Sequence, residues 1–210
     1  MPARQFFPTV PPRNLITVPC CRPCNQTASG DQEYFRTALV IRMHFETHPE
    51  SDHFIDAAMR SFDRHGARGP TASIVQSAQP IELRSPAGLF LGEGGQFTPE
   101  VETMESACVW ITQGLFFHET ARRLAPGYVV RATAPGGIDV RRRDLVATLQ
   151  RGLDFAFSGV KRSRGNTFRY AFNRDPANPD RTVWILDFFE RFPAIVVTSS
   201  HEDTAPSLTS

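Results

Sequence analysis

The sequence predicts an α+β fold: an N-terminal cysteine knuckle and helices, then a long core helix with an antiparallel β meander. Three observations predict it. Apolar residues recur at helical spacing after Asp31 and again after Thr98. In the last third they alternate at period two, through Phe168, Tyr170 and Phe172, then Val183 and Ile185, with the polar Asp187 next in phase, then Ala194 to Val197. Proline- and glycine-rich stretches separate these segments.

The elements follow in order. Residues 1–19 hold Pro2, Pro8, Pro11, Pro12 and Pro19, which favour extended or turned backbone. Leu15–Val18 is strand-like, and Cys21-Arg-Pro-Cys24 reads as a knuckle, with a turn after Pro23. Ser29-Gly-Asp31 offers a helix start, and Tyr34, Ala38, Ile41 and Phe45 share one stripe, widened by Phe35 and Leu39. A second helix is expected over 51–64, ending a first module at 1–64. A linker at 65–80 follows, rich in Gly, Ser, Ala and Pro. An α+β companion domain is expected over 81–200, and the polar tail 201–210 is expected to be disordered. Within the companion domain, Ile81–Arg84 and Leu89–Leu91 predict a hairpin, and Gly92–Gln96 a glycine-rich turn. Thr98-Pro-Glu100 opens the long helix and Pro126-Gly127 closes it. Tyr128–Ala132 reads as a strand and 139–152 as a short helix.

The 210 residues, 40% hydrophobic and 21% charged, describe a globular chain with room for a sizeable core. A net charge of +1 makes no global claim for nucleic acid or membrane. The distribution is more informative, because Arg4, Arg13 and Arg22 all precede the first acidic residue, Asp31. Basic clusters recur at Arg141–Arg143 and Lys161–Arg164, and solvated faces are the plainer explanation for them. No apolar run is long enough to span a bilayer and no signal peptide is legible, so a cytoplasmic, reducing setting is expected. The sequence does not determine an oligomeric state.

One segment has spacing that chemistry demands: Asn14, then Cys21-x-x-Cys24 followed at once by Asn25. Two cysteines so spaced can reach one metal, yet a tetrahedral zinc needs four ligands. Cys20 adjoins the pair, and Cys108 reads as a small buried hydrophobe on an apolar helical face. A redox reading wants a helix beginning at the first cysteine. Because Pro23 precedes a Gln-Thr-Ala-Ser turn, a metal remnant ranks above redox chemistry, and chance spacing stays open.

On these residues the chain resembles the HNH endonucleases whose Cys pairs bracket a catalytic motif. The family pattern runs Cys-x-x-Cys, an acidic residue and His, a Pro-containing stretch, Asn-Leu, then Cys-x-x-Cys with His or Asn. Asn14-Leu15 matches the central pair, and Cys21, Cys24 and Asn25 match its last part. Met1–Pro8 resembles the stretch after the family's His, and Asp31–Arg36 resembles its following helix in bacterial members. The resemblance covers about residues 1–45. It implies a partial ββα-metal module and DNA phosphodiester hydrolysis in the intact family form. It assigns Asn14 and Asn25 to the catalytic motif, with a Mg or Mn ion, and Cys21 and Cys24 to half of a structural zinc site. Arg4, Arg13 and Arg22 become candidates for DNA phosphate contacts. The catalytic His and first Cys pair are missing from the chain, which is expected to be N-terminally truncated and inactive or incomplete as it stands.

An alternative is a non-enzymatic binding or interaction protein that uses the C-terminal α+β domain. Its support is the aromatic density from Phe155 to Phe192, though period-two spacing favours a core-facing sheet.

Overall fold

A computed structural model describes residues 16–45, 72–133, 162–164, 167–189 and 192–200. The expected helices at 51–64 and 139–152, residues 65–71 of the linker, the tail, and the candidates Arg4, Arg13 and Asn14 lie outside the described residues. Helices and antiparallel sheets make an α+β fold with a long helix and a β meander. The elements are α1 (Arg22–Phe45), α2 (Ala72–Ser77), β1 (Gln79–Arg84), β2 (Phe90–Gln96) and α3 (Val101–Thr120). The strands β3 (Tyr128–Thr133), β4 (Arg162–Arg164), β5 (Phe168–Arg174), β6 (Thr182–Phe188) and β7 (Phe192–Ser200) follow. The chain separates into two compact units, Met1–Gln32 with Val101–Ser210, and Glu33–Glu100.

In the larger unit β3 to β7 form one antiparallel sheet in the order β3-β7-β6-β5-β4. Its inner face presents Phe168 and Tyr170 from β5, Trp184, Leu186 and Phe188 from β6, and Ala194 and Val196 from β7, all buried. The alternation on β6 therefore falls one residue out of the expected register. Trp184 and Leu186 face inward, while Val183 is 46% exposed. Both sets are apolar, so hydrophobicity alone does not separate them, and the bulkier set takes the interior. Trp184 stacks on Phe172 with centroids 4.4 Å apart and rings 13° from parallel. Pro193 lies in β7 beyond Thr133 with Ile195, the last β3 pair among the described residues, so its missing N–H interrupts no bond of that described ladder.

Helix α3 lies against β3 and β7 and buries Met104, Ala107, Cys108, Ile111, Leu115 and Phe116. Each large side chain buried there contributes about 1.5–3 kcal/mol. The helix ends at Thr120, six residues before Pro126, the proline expected to stop it. Ala121 adopts a left-handed conformation, with φ 56°, and its N–H bonds the Phe117 carbonyl. Beyond it, Arg122 pairs with the nearly buried Asp180 at 2.6 Å.

A buried chain of hydrogen bonds orders the end of the β6–β7 ladder. The Trp184 indole N–H donates to Thr182 Oγ1 at 2.6 Å. Thr182 and Thr198 hydroxyls meet at 2.8 Å, and Thr198 donates to the Asp180 carbonyl. A hydroxyl has one proton. Thr198 spends its own on Asp180, so Thr182 is the donor between the two.

In the smaller unit, Tyr34, Phe35, Thr37, Ala38, Leu39 and Val40 of α1 are buried, so this stretch is enclosed nearly all round. Tyr34 Oη accepts the Glu100 N–H at 2.6 Å. A short helix, α2, stands where the linker reading expected only loop. The expected hairpin forms, but Gly92–Gln96 belongs to strand β2 and is not a turn. Its glycines fit a register irregularity between Leu83 and Arg84: Gly92 has φ 139°, and Gly94 leaves room for the Leu83 side chain.

Candidate functional site: the cysteine-bearing head of helix α1

The helix begins at Arg22, so Cys21 is its N-cap and Cys24 lies in its first turn. This corrects the expected knuckle, the turn after Pro23 and the helix start near Asp31. The Asn25 N–H donates to the Cys21 carbonyl at 2.9 Å, the first bond of the helical ladder. The Cys24 N–H donates to Cys21 Sγ at 3.3 Å, the geometry of an N-cap side chain serving the third helical residue. Pro23 is compatible because the first turn's amides lack ladder partners in any helix. Thr27 returns its hydroxyl to the Pro23 carbonyl at 3.3 Å.

This head is solvent-facing: Cys20, Cys21, Arg22, Cys24 and Asn25 are all exposed. The Cys21 thiol is held below its ordinary value, first by the hydrogen bond from the Cys24 side chain, then by the Cys24 amide, with the Arg123 charge adding to both. Cys24 is pushed up, chiefly because it donates that bond, then by partial desolvation and the neighbouring sulfurs. Cys108 is a different residue chemically, fully buried and with its thiol pushed far up by burial.

Asp31 anchors the head. Its Oδ2 accepts from Ser106 Oγ at 2.5 Å and from the Trp110 indole N–H at 3.0 Å, tying α1 to α3 two turns beyond the cysteines. No local pattern announces this anchor, because its partners lie 75 and 79 residues away in sequence. Its effect is to hold a helix whose opening stretch, Asn25 through Gly30, has four weak helix formers, Asn25, Thr27, Ser29 and Gly30, beside Gln26 and the buried Ala28.

The structure thus brings Cys21, Cys24, Asn25 and Arg22 into one exposed turn. Among the described residues no group of three or more His, Cys, Asp or Glu is arranged to hold a metal ion. The two thiols suit zinc as far as two donors go. Asn25 alone, a neutral oxygen donor, does not make a Mg or Mn site.

The aromatic residues expected to support a binding function are largely core: Phe168, Tyr170, Trp184, Phe188, Phe189 and Phe192 are each at most 2% exposed. A groove at the turn end of the β5–β6 hairpin is lined instead by Val183 and Val197, with Arg174 and Arg181 beside them.

Against known proteins, the chain matches no family model, no curated protein and no solved structure. Among the described residues no helix is long and apolar enough to cross a membrane.

Proposed function

We propose that the head of α1 is the last part of an HNH-type ββα-metal module, whose intact family form hydrolyses DNA. The observation that supports this reading is the Cys21-x-x-Cys24-Asn25 turn, exposed at the start of a helix and anchored through Asp31. In this reading Cys21 and Cys24 give zinc two thiolates, and the metal fastens the helix head. Asn14 orients the motif loop, and Asn25 stands at the position where the family holds its catalytic metal. Arg4, Arg13 and Arg22 meet backbone phosphates, a contact that is sequence-independent and weakened by salt.

No histidine of this chain precedes Asn14. General-base catalysis supplies about 10²–10⁴-fold in rate, so residues 1–210 by themselves should bind DNA and leave it uncut. The test is metal analysis by mass spectrometry of the purified 210-residue chain, with plasmid nicking in magnesium or manganese. Zinc uptake lost in both Cys21→Ser and Cys24→Ser, with salt-sensitive DNA binding and no nicking, supports the reading. Zinc uptake indifferent to both substitutions sinks the module. Robust cleavage abolished by Asn25→Ala sinks the claim that the base is lacking.

A further inference from the structure

We infer that Cys21 and Cys24 form a redox-active dithiol that exchanges with disulfides of low molecular weight. A dithiol of this kind needs two sulfurs on one turn, an attacking sulfur held at a helix N-terminus, and access for the reactant. The structure meets each requirement. Cys21 is the N-cap of α1, and its sulfur accepts the Cys24 amide at 3.3 Å. Both thiols are free and exposed, and every residue from Pro19 through Thr27 is exposed with them. Cys108 is fully buried, and Cys20 precedes the helix, without an N-terminal amide of its own. The helix that the redox reading requires begins at the first cysteine, where the sequence suggested a turn.

The exchange balances as follows. Cys21 attacks one sulfur of oxidised glutathione, the disulfide breaks, and one glutathione thiolate leaves. Cys24 then attacks the Cys21 sulfur of the mixed disulfide, and the second glutathione thiolate leaves. Two protein thiols are oxidised to one intramolecular disulfide, one glutathione disulfide is reduced, and the two thiol protons pass to the leaving thiolates. The inference stands apart from the nuclease reading, because it needs neither zinc nor DNA. Bound zinc would occupy the same sulfurs and block the exchange.

The experiment uses the full chain, stripped of metal, in mixtures of oxidised and reduced glutathione, quenched with iodoacetamide and mapped by peptide mass spectrometry. The expected product is an internal disulfide between Cys21 and Cys24, formed equally well in Cys20→Ser. Cys24→Ser should instead accumulate a glutathione adduct on Cys21, and Cys21→Ser should lose the exchange. Serine is itself a good N-cap, so Cys21→Ser keeps the helix, checked by circular dichroism. A disulfide through Cys20, oxidation only between chains, or no oxidation at all overturns the inference. Because metal is removed beforehand, a chain that never binds zinc still gives a full answer.

Discussion

At the start of β2 in the two-stranded sheet, Phe90 and Leu91 stand 55% and 67% exposed, with Leu89 just before them at 68%, whereas in the five-stranded sheet Phe168, Tyr170, Trp184 and Phe188 are all at most 1% exposed. Both sheets are antiparallel, and both draw on strand-forming apolar residues. The difference is the second layer. The inner face of the larger sheet meets α3, whose buried stripe runs from Met104 to Phe116. Among the described residues the ribbon β1–β2 has two strands, too few for independent stability in water. Apolar content therefore does not decide which strands become core. What decides is whether a partner layer excludes water from one face.

The largest effect expected from breaking this contrast is Trp184→Ala. It removes a fully buried ring stacked on Phe172 and should cost about 3–5 kcal/mol in urea denaturation. A loss near zero would mean that the sheet interior is no better packed than the ribbon. Next comes Thr198→Val, which removes an acceptor for the Thr182 N–H and a donor to the Asp180 carbonyl. Stranding such buried groups should cost about 1–3 kcal/mol. Thr198→Ser keeps the hydroxyl and should recover most of that.

Tyr34→Phe should cost about 0.5–1.5 kcal/mol through the lost bond from Glu100. It also has a pH signature. Burial raises the Tyr34 phenol above its ordinary 10.0, so the folded chain holds that proton more tightly than the unfolded chain. Below about pH 10 both states are protonated and the contribution is whole; above it the unfolded chain ionises first, and stability falls as pH rises through the folded value. The Phe variant should show a shallower alkaline decline in thermal melts. An unchanged slope would remove Tyr34 from that role. The smallest effect is Leu89→Lys in the exposed turn of the ribbon, which should change unfolding stability by no more than about 0.5 kcal/mol. A larger loss would show that the ribbon is covered in solution.

The same contrast explains what could be read from the sequence. The fold class, the long helix, the hairpin and the meander were legible because each follows from a local period. The register of β6 was not, since Val183 and Ile185 are as apolar as Trp184 and Leu186. The early end of α3 was hidden because alanine, at Ala121, takes a left-handed conformation more often filled by glycine. At the candidate site, the cysteine spacing was plain, but the helix around it was not. Pro23 reads in the sequence as leading into a turn and acts as a first-turn residue of the helix, and the tie that compensates weak propensity is Asp31 to Ser106 and Trp110, far apart in the chain.

Asp31 and Thr182 have one property in common: each accepts the indole proton of one of the chain's two tryptophans. Nature has thus wired a separate pilot lamp to each. In a nitrogen-15 proton correlation spectrum, the Trp110 signal watches the seat of the cysteine-bearing helix, and the Trp184 signal watches the interior of the sheet. Titrating zinc, DNA or glutathione while following just these two peaks would tell, with no attached reporter beyond the nitrogen-15 itself, whether an event at the helix head stays local or reaches the core.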